Sequence, residues 1–408
     1  MMKKIDEKYK MLFITMFCYL FFYTGRHNFG WATKAMSEDL GISYSYIGWI
    51  SFSMLIGYSI GQFINGNLAD HFSPRLMVPI GAYLSIACNI GISFAYSAPV
   101  ILVLWFFNGL FQSMAWAPGG KIITNWFESK EQNKAFGFYT MAAGLSSVVT
   151  FLISIVLTSF DMEWRMLFRV PVLFLLVSST IFLIFIKPSP LESTSKKTDS
   201  PKRTFAELKS SYAEVLGNFT FVRLCISFGL ESMARYGLIF WVPVHFLGKN
   251  WKEDPSFLWV TFLLPLGMAI GAVSFGQLAV SVFKNNFRSI TFGMLVCSII
   301  SFSLYTFTSS NIIIIAFLLI ACGFFVYGPQ ANFWALCPQI LGKQKTGTAM
   351  GIMNMFGYLC AALIEPILGS VISFSKNTSI LFIVIGVLCL AASINTWFLR
   401  ETKNVENY

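Results

Sequence analysis

The chain has 408 residues, of which 56% are hydrophobic and only 12% are charged, and its formal net charge is +10. A soluble domain of this length needs far more charged surface. The apolar residues come in long runs without polar alternation, which favours helices over strands. Runs of this kind match the hydrocarbon thickness of a bilayer and satisfy their own backbone groups there as helices. The composition therefore predicts an all-α membrane protein.

Twelve apolar segments follow one another along the chain. Their predicted ranges are 11–32, 45–68, 76–96, 99–124, 135–159, 165–187, 217–247, 256–282, 289–308, 311–337, 347–373 and 378–399. The polar stretch between the sixth and seventh segments divides them into two sets of six. We therefore predict an N-terminal six-helix half at 1–187, a cytoplasmic linker at 188–216 and a C-terminal six-helix half at 217–408.

The two halves share features that suggest an internal duplication. Arg26 in the first segment has a counterpart, Arg235, in the seventh. Trp116-Ala117-Pro118 in the fourth segment is echoed by Tyr327-Gly328-Pro329 in the tenth. Duplicated halves are a transporter architecture in which the substrate site lies near the middle of the membrane. The sequence thus predicts two pseudo-symmetric halves.

Most of the Lys and Arg residues lie at the two termini, in the linker and in alternate loops. Examples are Lys3, Lys8, Arg75, Lys130 and Lys343. This bias predicts that both termini are cytoplasmic. The same distribution of basic residues favours the lipid bilayer over nucleic acid as the partner of this positively charged chain. We expect a multi-pass protein of the bacterial inner membrane, acting as a monomer.

Charged residues inside predicted membrane segments are costly and usually functional. We expect Arg26 and Arg235 to lie mid-helix, where a guanidinium can bind a phosphate or carboxylate with two hydrogen bonds. The alternative is that each arginine neutralises a carboxylate. Glu231 precedes Arg235 by one helical turn, in the order that favours an ion pair.

Two acidic residues and several tyrosines complete the predicted site. Glu231 and Glu365 are expected either to carry a coupling proton or to form ion pairs. The tyrosines that can line the cavity, with simple packing as the alternative, are Tyr19, Tyr23, Tyr58 and Tyr358.

The motifs of enzymes and metal sites are missing from the sequence. The His residues lack metal-ligand spacing, and there is no dinucleotide-binding, Walker or nucleophile-elbow motif. We expect no metal, no cofactor and no enzymatic activity.

The segment from Gly66 to Arg75 resembles the signature that joins the second and third helices in the major facilitator superfamily. This resemblance implies that Gly66, Asp70 and Arg75 belong to a cytoplasmic gate and do not contact substrate.

Within that superfamily, the chain resembles the organophosphate:phosphate antiporters, which include transporters of glycerol 3-phosphate and hexose phosphates. The matching stretches are Gly109 to Gln112, Trp116 to Pro118, Trp126 to Glu131, Arg235 to Gly237 with Trp241, Tyr327 to Gln330, Gly347 to Ala349 and Phe356 to Tyr358. The resemblance implies that Arg26 and Arg235 bind the phosphoryl group and that the four tyrosines line the same cavity.

Three positions depart from the family pattern. Ala143 stands where the glycerol-phosphate members have His, and Gln62 stands where they have Lys. Glu231 replaces an apolar residue. We therefore expect a less cationic site, with Gln62 among its substrate-binding residues.

We expect a secondary active transporter that moves a small organic anion by alternating access, an organophosphate such as a sugar phosphate or glycerol phosphate, with phosphate or a proton as the coupling solute. The alternative is a proton-coupled symporter for an amino acid, a nucleoside or another small nutrient. A lesser alternative is a transporter-like membrane sensor.

Overall fold

The computed structural model describes residues 2–127, 129–187, 212–248, 251–307, 311–342 and 346–399, and within these ranges every regular element is helical. The principal helices, in chain order, are α1 (Met2–Phe22), α2 (Phe29–Leu40), α3 (Tyr44–His71), α4 (Pro74–Ser93), α5 (Ala98–Gln112), α6 (Trp116–Trp126), α7 (Ser129–Ser159), α8 (Met166–Phe185), α9 (Phe219–Leu247), α10 (Ser256–Trp259), α11 (Leu263–Leu278), α12 (Asn286–Phe307), α13 (Ile312–Tyr327), α14 (Gln330–Leu341), α15 (Thr346–Ser375) and α16 (Ile380–Trp397).

Every apolar segment predicted from the sequence is helical over most of its described length. Nine spans of the described chain are long and apolar enough to cross a membrane. In α9, the charged side chains of Arg223, Glu231 and Arg235 interrupt the apolar pattern. The all-α membrane fold predicted from composition is confirmed. The predicted linker falls mostly outside the described residues, with 212–217 helical, and the predicted boundaries of the halves stay a prediction.

The first predicted segment is broken and does not continue as one helix. After α1 the chain forms a short 3-10 turn at Tyr23–Gly25, and α2 begins only at Phe29. Arg26 follows the turn with φ −135° and ψ −50°, outside helical geometry. The expectation that Arg26 lies mid-helix was therefore wrong. Beside the break, the Thr24 hydroxyl hydrogen-bonds to the carbonyl oxygens of Phe21 and Pro171 at 2.6 and 3.1 Å, and such side-chain bonds compete with the helical ones.

The fourth and tenth predicted segments are also interrupted, each next to the echoed tripeptide. Residues between α5 and α6 leave the helix just before Trp116-Ala117-Pro118, and Gly328-Pro329 separates α13 from α14. A proline lacks the N–H that a continuous helix needs and clashes with the preceding turn. The two similar tripeptides found in the sequence therefore each lie beside a break in a helix.

The chain divides into two compact units. Unit 1 consists of Met1–Glu192, Ile239–Leu266 and Ala362–Ile380, and unit 2 consists of Ser193–Leu238, Gly267–Ala361 and Leu381–Tyr408. Helices α9, α11 and α15 thus contribute residues to both units, and α16 has its first residue in unit 1 and the rest in unit 2.

Glycines allow the helices of unit 1 to approach each other closely. A Cβ placed on Gly109 of α5 would lie 2.8 Å from the backbone nitrogen of Tyr58 on α3. A Cβ on Gly30 of α2 would lie 2.6 Å from the carbonyl oxygen of Phe240. Small residues at such positions let backbones come into van der Waals contact inside a membrane. Unit 1 therefore packs its helices directly, backbone against backbone.

Candidate functional site

The interruption between α1 and α2 exposes backbone carbonyls that side-chain amides from α4 and α5 satisfy. Gly25 O accepts hydrogen bonds from Asn108 Nδ2 at 2.9 Å and from Asn89 Nδ2 at 3.1 Å. Phe22 O accepts one from Gln112 Nε2 at 2.8 Å. Irregular backbone is tolerated at membrane depth only when its polar groups find such partners. The three amides therefore hold the backbone that carries Arg26.

The amide network continues beyond these bonds. Ser85 donates its hydroxyl to Asn108 Oδ1 at 2.6 Å and accepts from Gln112 Nε2 at 2.9 Å. Asn28 Nδ2 donates to the carbonyl oxygen of Leu167 at 2.8 Å, which ties the start of α2 to α8. All of these side chains are buried. Buried side-chain hydrogen bonds of this kind rigidify their surroundings.

Arg26 lies at the interruption with its guanidinium between two tyrosine rings. The Cζ atom is 5.0 Å from the ring centroid of Tyr23 and 4.5 Å from that of Tyr58 on α3. The residue is 5% exposed. Cation–π contacts at these distances stabilise a desolvated guanidinium by about 2 kcal/mol. The structure thus brings Arg26, Tyr23 and Tyr58 together, as the sequence predicted.

Tyr19 extends this cluster along α1, and its hydroxyl lies 3.2 Å from that of Tyr23. The Tyr19 ring also packs on Tyr139 of α7, at a centroid distance of 4.6 Å, and Tyr139 stacks on Trp116. Gln62 is partly buried one turn after Tyr58, and residues four apart share a helix face. Tyr19, Tyr23, Tyr58, Gln62 and Arg26 all belong to unit 1.

Arg235 of α9 has a similar setting in unit 2. Its Cζ atom lies 4.6 Å from the ring centroid of Tyr236 and 5.1 Å from that of Tyr327 at the end of α13. The Tyr358 ring of α15 lies 5.7 Å from the Tyr236 ring. Within one unit, the structure therefore groups Arg235 with Tyr358, as predicted, and adds Tyr236 and Tyr327.

Glu231 accompanies Arg235 one helical turn earlier and is fully buried. Its Oε1 atom lies 3.7 Å from Arg235 Nε, and its Oε2 atom accepts a hydrogen bond from the Ser232 hydroxyl at 3.3 Å. The predicted pairing of Glu231 with Arg235 is present, at a separation too long for a hydrogen bond.

Glu365 is held elsewhere, in unit 1. Its Oε2 atom accepts a hydrogen bond from the indole nitrogen of Trp241 at 3.0 Å, and the residue is 1% exposed. Glu365 forms none of the ion pairs found in the described chain.

The predicted gating motif is only partly described. Arg75 at the start of α4 is exposed and donates from Nε to the carbonyl oxygen of Leu183 at 2.9 Å. Gly66 and Asp70 fall outside the residues whose side chains are described.

The described part of the chain holds no group of three or more His, Cys, Asp or Glu residues suited to a metal ion.

Sequence reasoning missed the amide network around Arg26. The sequence indicates this network only through the presence of Asn89, Asn108 and Gln112 inside predicted membrane segments, where buried amides need hydrogen-bond partners.

Comparisons with known proteins agree with this architecture. The Bacillus subtilis glycerol-3-phosphate transporter is 23% identical over 424 residues, covering 96% of this chain and 95% of the relative. The Salmonella typhimurium hexose-6-phosphate:phosphate antiporter is 26% identical over 384 residues, covering 88% of this chain and 80% of the relative. These relatives match the resemblance read from the sequence.

The fold is also that of solved transporters. A bacterial homologue of the human lysosomal transporter Spinster, in an inward-facing and occupied conformation, aligns with a TM-score of 0.77 at 13% identity, covering 95% of this chain and 96% of that one. Residues 15–365 match the Major Facilitator Superfamily. This match and the relatives above confirm the prediction made from the sequence, that of a transporter and not an enzyme. The chain belongs to the Major Facilitator Superfamily.

Proposed function

We propose that the chain is a secondary transporter that moves a small organophosphate across the membrane by alternating access, with Arg26 and Arg235 binding its phosphoryl group. The supporting observation is that each unit contains an arginine whose guanidinium contacts two tyrosine rings, Arg26 being buried and Arg235 partly buried. A guanidinium stays charged at any working pH and matches the geometry of a phosphoryl group. The rings hold its orientation without neutralising its charge.

The relatives support the phosphorylated nature of the solute. Proteins named as a glycerol-3-phosphate transporter and a hexose-6-phosphate:phosphate antiporter align over most of this chain. By this analogy, exchange against inorganic phosphate is the coupling reaction. We assign both termini to the cytoplasm, because basic residues concentrate there and in alternate loops.

Alternating access requires some contacts of unit 1 to break and re-form during each cycle. The candidates join helices of the first half to residues 239–266 and 362–380. The backbone nitrogen of Ser45 donates to the Ser373 hydroxyl at 3.0 Å, and Lys34 Nζ donates to the carbonyl oxygen of Leu247 at 2.9 Å. Each of these bonds can be exchanged for hydrogen bonds to water at a modest net cost.

The test is transport by the purified full-length protein in liposomes loaded with inorganic phosphate. We expect saturable uptake of labelled glycerol 3-phosphate or glucose 6-phosphate in exchange for internal phosphate. Arg26→Lys keeps the charge but loses the bidentate fork, and we expect its uptake to fall by at least about tenfold. Arg26→Ala and Arg235→Lys should be equally impaired.

Arg223→Lys provides the matched control, since Arg223 also lies on α9 but bonds to Asn395. It should retain most of the uptake. Normal uptake in both Arg26→Lys and Arg26→Ala would contradict the proposed phosphoryl site.

The second candidate function is proton-coupled symport of an amino acid, nucleoside or similar nutrient. The two buried carboxylates of Glu231 and Glu365 favour it, because such groups can load and release protons. Uptake that needs an imposed pH gradient and stops with an uncoupler would support symport. Exchange against phosphate that an uncoupler leaves unchanged would support the first function.

A further inference from the structure

The pair formed by Glu231 and Arg235 has unusual geometry for a buried ion pair. Carboxylate and guanidinium groups normally meet at about 2.7–2.9 Å through one or two hydrogen bonds. Here Oε1 of Glu231 and Nε of Arg235 are 3.7 Å apart. Each of these two atoms is buried and lacks a hydrogen-bond partner among the described residues. The two groups therefore attract each other electrostatically, while the Oε1 acceptor and the Nε donor make no hydrogen bond to a described residue.

Neutralisation of Arg235 alone does not account for this arrangement. A buried acceptor or donor without a partner costs about 1–3 kcal/mol, and more when the group is charged. The two residues are one helical turn apart, a spacing at which side chains can meet directly. The unused Oε1 and Nε atoms can instead be satisfied together by a ligand that offers an acceptor to Arg235 and a donor to Glu231.

The local charge also restricts which ligands can bind. A simple phosphate ester beside Arg235 would lie close to the Glu231 carboxylate, and like charges repel strongly where water is scarce. A protonated amine on the same ligand would remove this repulsion and donate to the carboxylate. The tyrosine rings of Tyr236 and Tyr327 are already in contact with Arg235 and supply no positive charge.

We propose that Glu231 is a specificity-determining residue that selects phosphate monoesters bearing a protonated amine. The phosphoryl group binds the guanidinium of Arg235, and the ammonium group binds Oε1 of Glu231. This inference rests on the proposed function and narrows its substrate class to amino-substituted organophosphates.

The experiment compares two esters that differ in one group. Full-length protein in phosphate-loaded liposomes is offered 2-aminoethyl phosphate and 2-hydroxyethyl phosphate at neutral pH, and the initial exchange rates are measured at low concentration. A charge-assisted hydrogen bond predicts a preference of about tenfold for the amine in the wild-type protein. Because the result is a ratio within one preparation, the amount of folded protein cancels.

Glu231→Gln should reduce the preference to within about twofold, and Glu231→Asp, which retains the charge, should restore part of it. Glu365→Gln is the matched control, since it removes another buried carboxylate from the other unit and should leave the ratio unchanged.

Equal rates for the two esters in the wild-type protein would overturn the assignment of Glu231 while leaving the proposed organophosphate transport intact. A preference that survives in Glu231→Gln would overturn it as well. Exchange of neither these esters nor glycerol 3-phosphate would refute the proposed function itself, and this inference with it.

Discussion

Trp241 donates its indole N–H to the carboxylate of Glu365 at 3.0 Å, and this bond joins α9 to α15 inside unit 1. Both side chains are essentially buried. Helix α3 packs against α15 beside this bond, because a Cβ on Gly48 of α3 would lie 2.8 Å from the Cα atom of Pro366. The carboxylate therefore sits at a junction of three helices that are far apart in the sequence.

Trp241→Phe removes the donor and leaves the Glu365 carboxylate with one fewer hydrogen bond. We expect the free energy of unfolding to fall by about 1–3 kcal/mol, and the thermal midpoint of the purified protein in detergent to fall accordingly. Adding Glu365→Leu should recover part of the loss, because the unpaired acceptor is then gone. If the double variant is no more stable than Trp241→Phe, the bond does not contribute as described.

Asn108→Leu conserves volume but removes a donor to Gly25 O and the acceptor for Ser85. The backbone before Arg26 should shift, so we expect a higher KM for the phosphate ester together with a loss of about 1–3 kcal/mol in stability. Kinetic exchange assays and thermal unfolding measure the two effects.

The control for this prediction is Asn332→Leu in unit 2, which removes another buried amide that donates to Ser289 at 2.9 Å. It should lower stability without a comparable rise in KM. Equal KM changes in the two variants would indicate a general loss of packing and not a role in holding Arg26.

Gly109→Ala places a methyl group against the backbone of α3 beside Tyr58, where no flexible side chain can yield. We expect a loss of about 1–3 kcal/mol from overpacking and reduced transport as Tyr58 moves away from Arg26. Thermal unfolding and uptake assays test both effects.

Gly137→Ala is a suitable comparison, because a Cβ at this helical glycine of α7 meets no atom within 4 Å. Alanine is favoured over glycine in an exposed helix by about 0.8–1.0 kcal/mol. A stabilising or neutral Gly137→Ala beside a destabilising Gly109→Ala is the expected pattern. Similar behaviour of the two variants would be evidence against a direct contact between the backbones of α3 and α5.

Asp39 provides a pH-dependent contribution outside the predicted membrane segments. The hydrogen bond from Arg165, at 2.8 Å, and then that from Trp164 hold the pKa of Asp39 below its usual value. A folded-state pKa below the unfolded value of about 3.9 stabilises the protein above that pH, and the stabilisation is lost as the pH falls through the folded-state pKa.

We therefore expect the thermal midpoint of the wild-type protein to fall more steeply on acidification than that of Asp39→Asn. The difference should be small, because the Asp39 side chain is 46% exposed and water screens the pair. Parallel acid profiles for the two proteins would show that the pair contributes nothing measurable.

Hydrophobicity predicted the fold well, because membrane helices are determined by runs of apolar residues that a sequence shows directly. Periodicity gave no indication of the interruption at Arg26. That break depends on carbonyls of Phe22 and Gly25 meeting amides from helices distant in the sequence. Long-range hydrogen bonds of this kind leave no local pattern.

Within each unit, the structure groups several of the residues predicted for the site. Intramembrane charge pointed to Arg26 and Arg235, and helical spacing pointed to Tyr19 and Tyr23. Tyr236 was not predicted as a site residue, since aromatic residues are 17% of the chain and no single one stands out. The assignment of all these residues to substrate binding stays a prediction.

The backbone interruption before Arg26 is held by carboxamides and a hydroxyl, and none of these groups gains or loses a proton at any pH that a cell meets. These amide and hydroxyl hydrogen bonds should therefore persist whatever the acidity on either side of the membrane. A dependence of transport on a proton gradient would have to arise from a titratable side chain outside this network or from the ionisation of the solute itself.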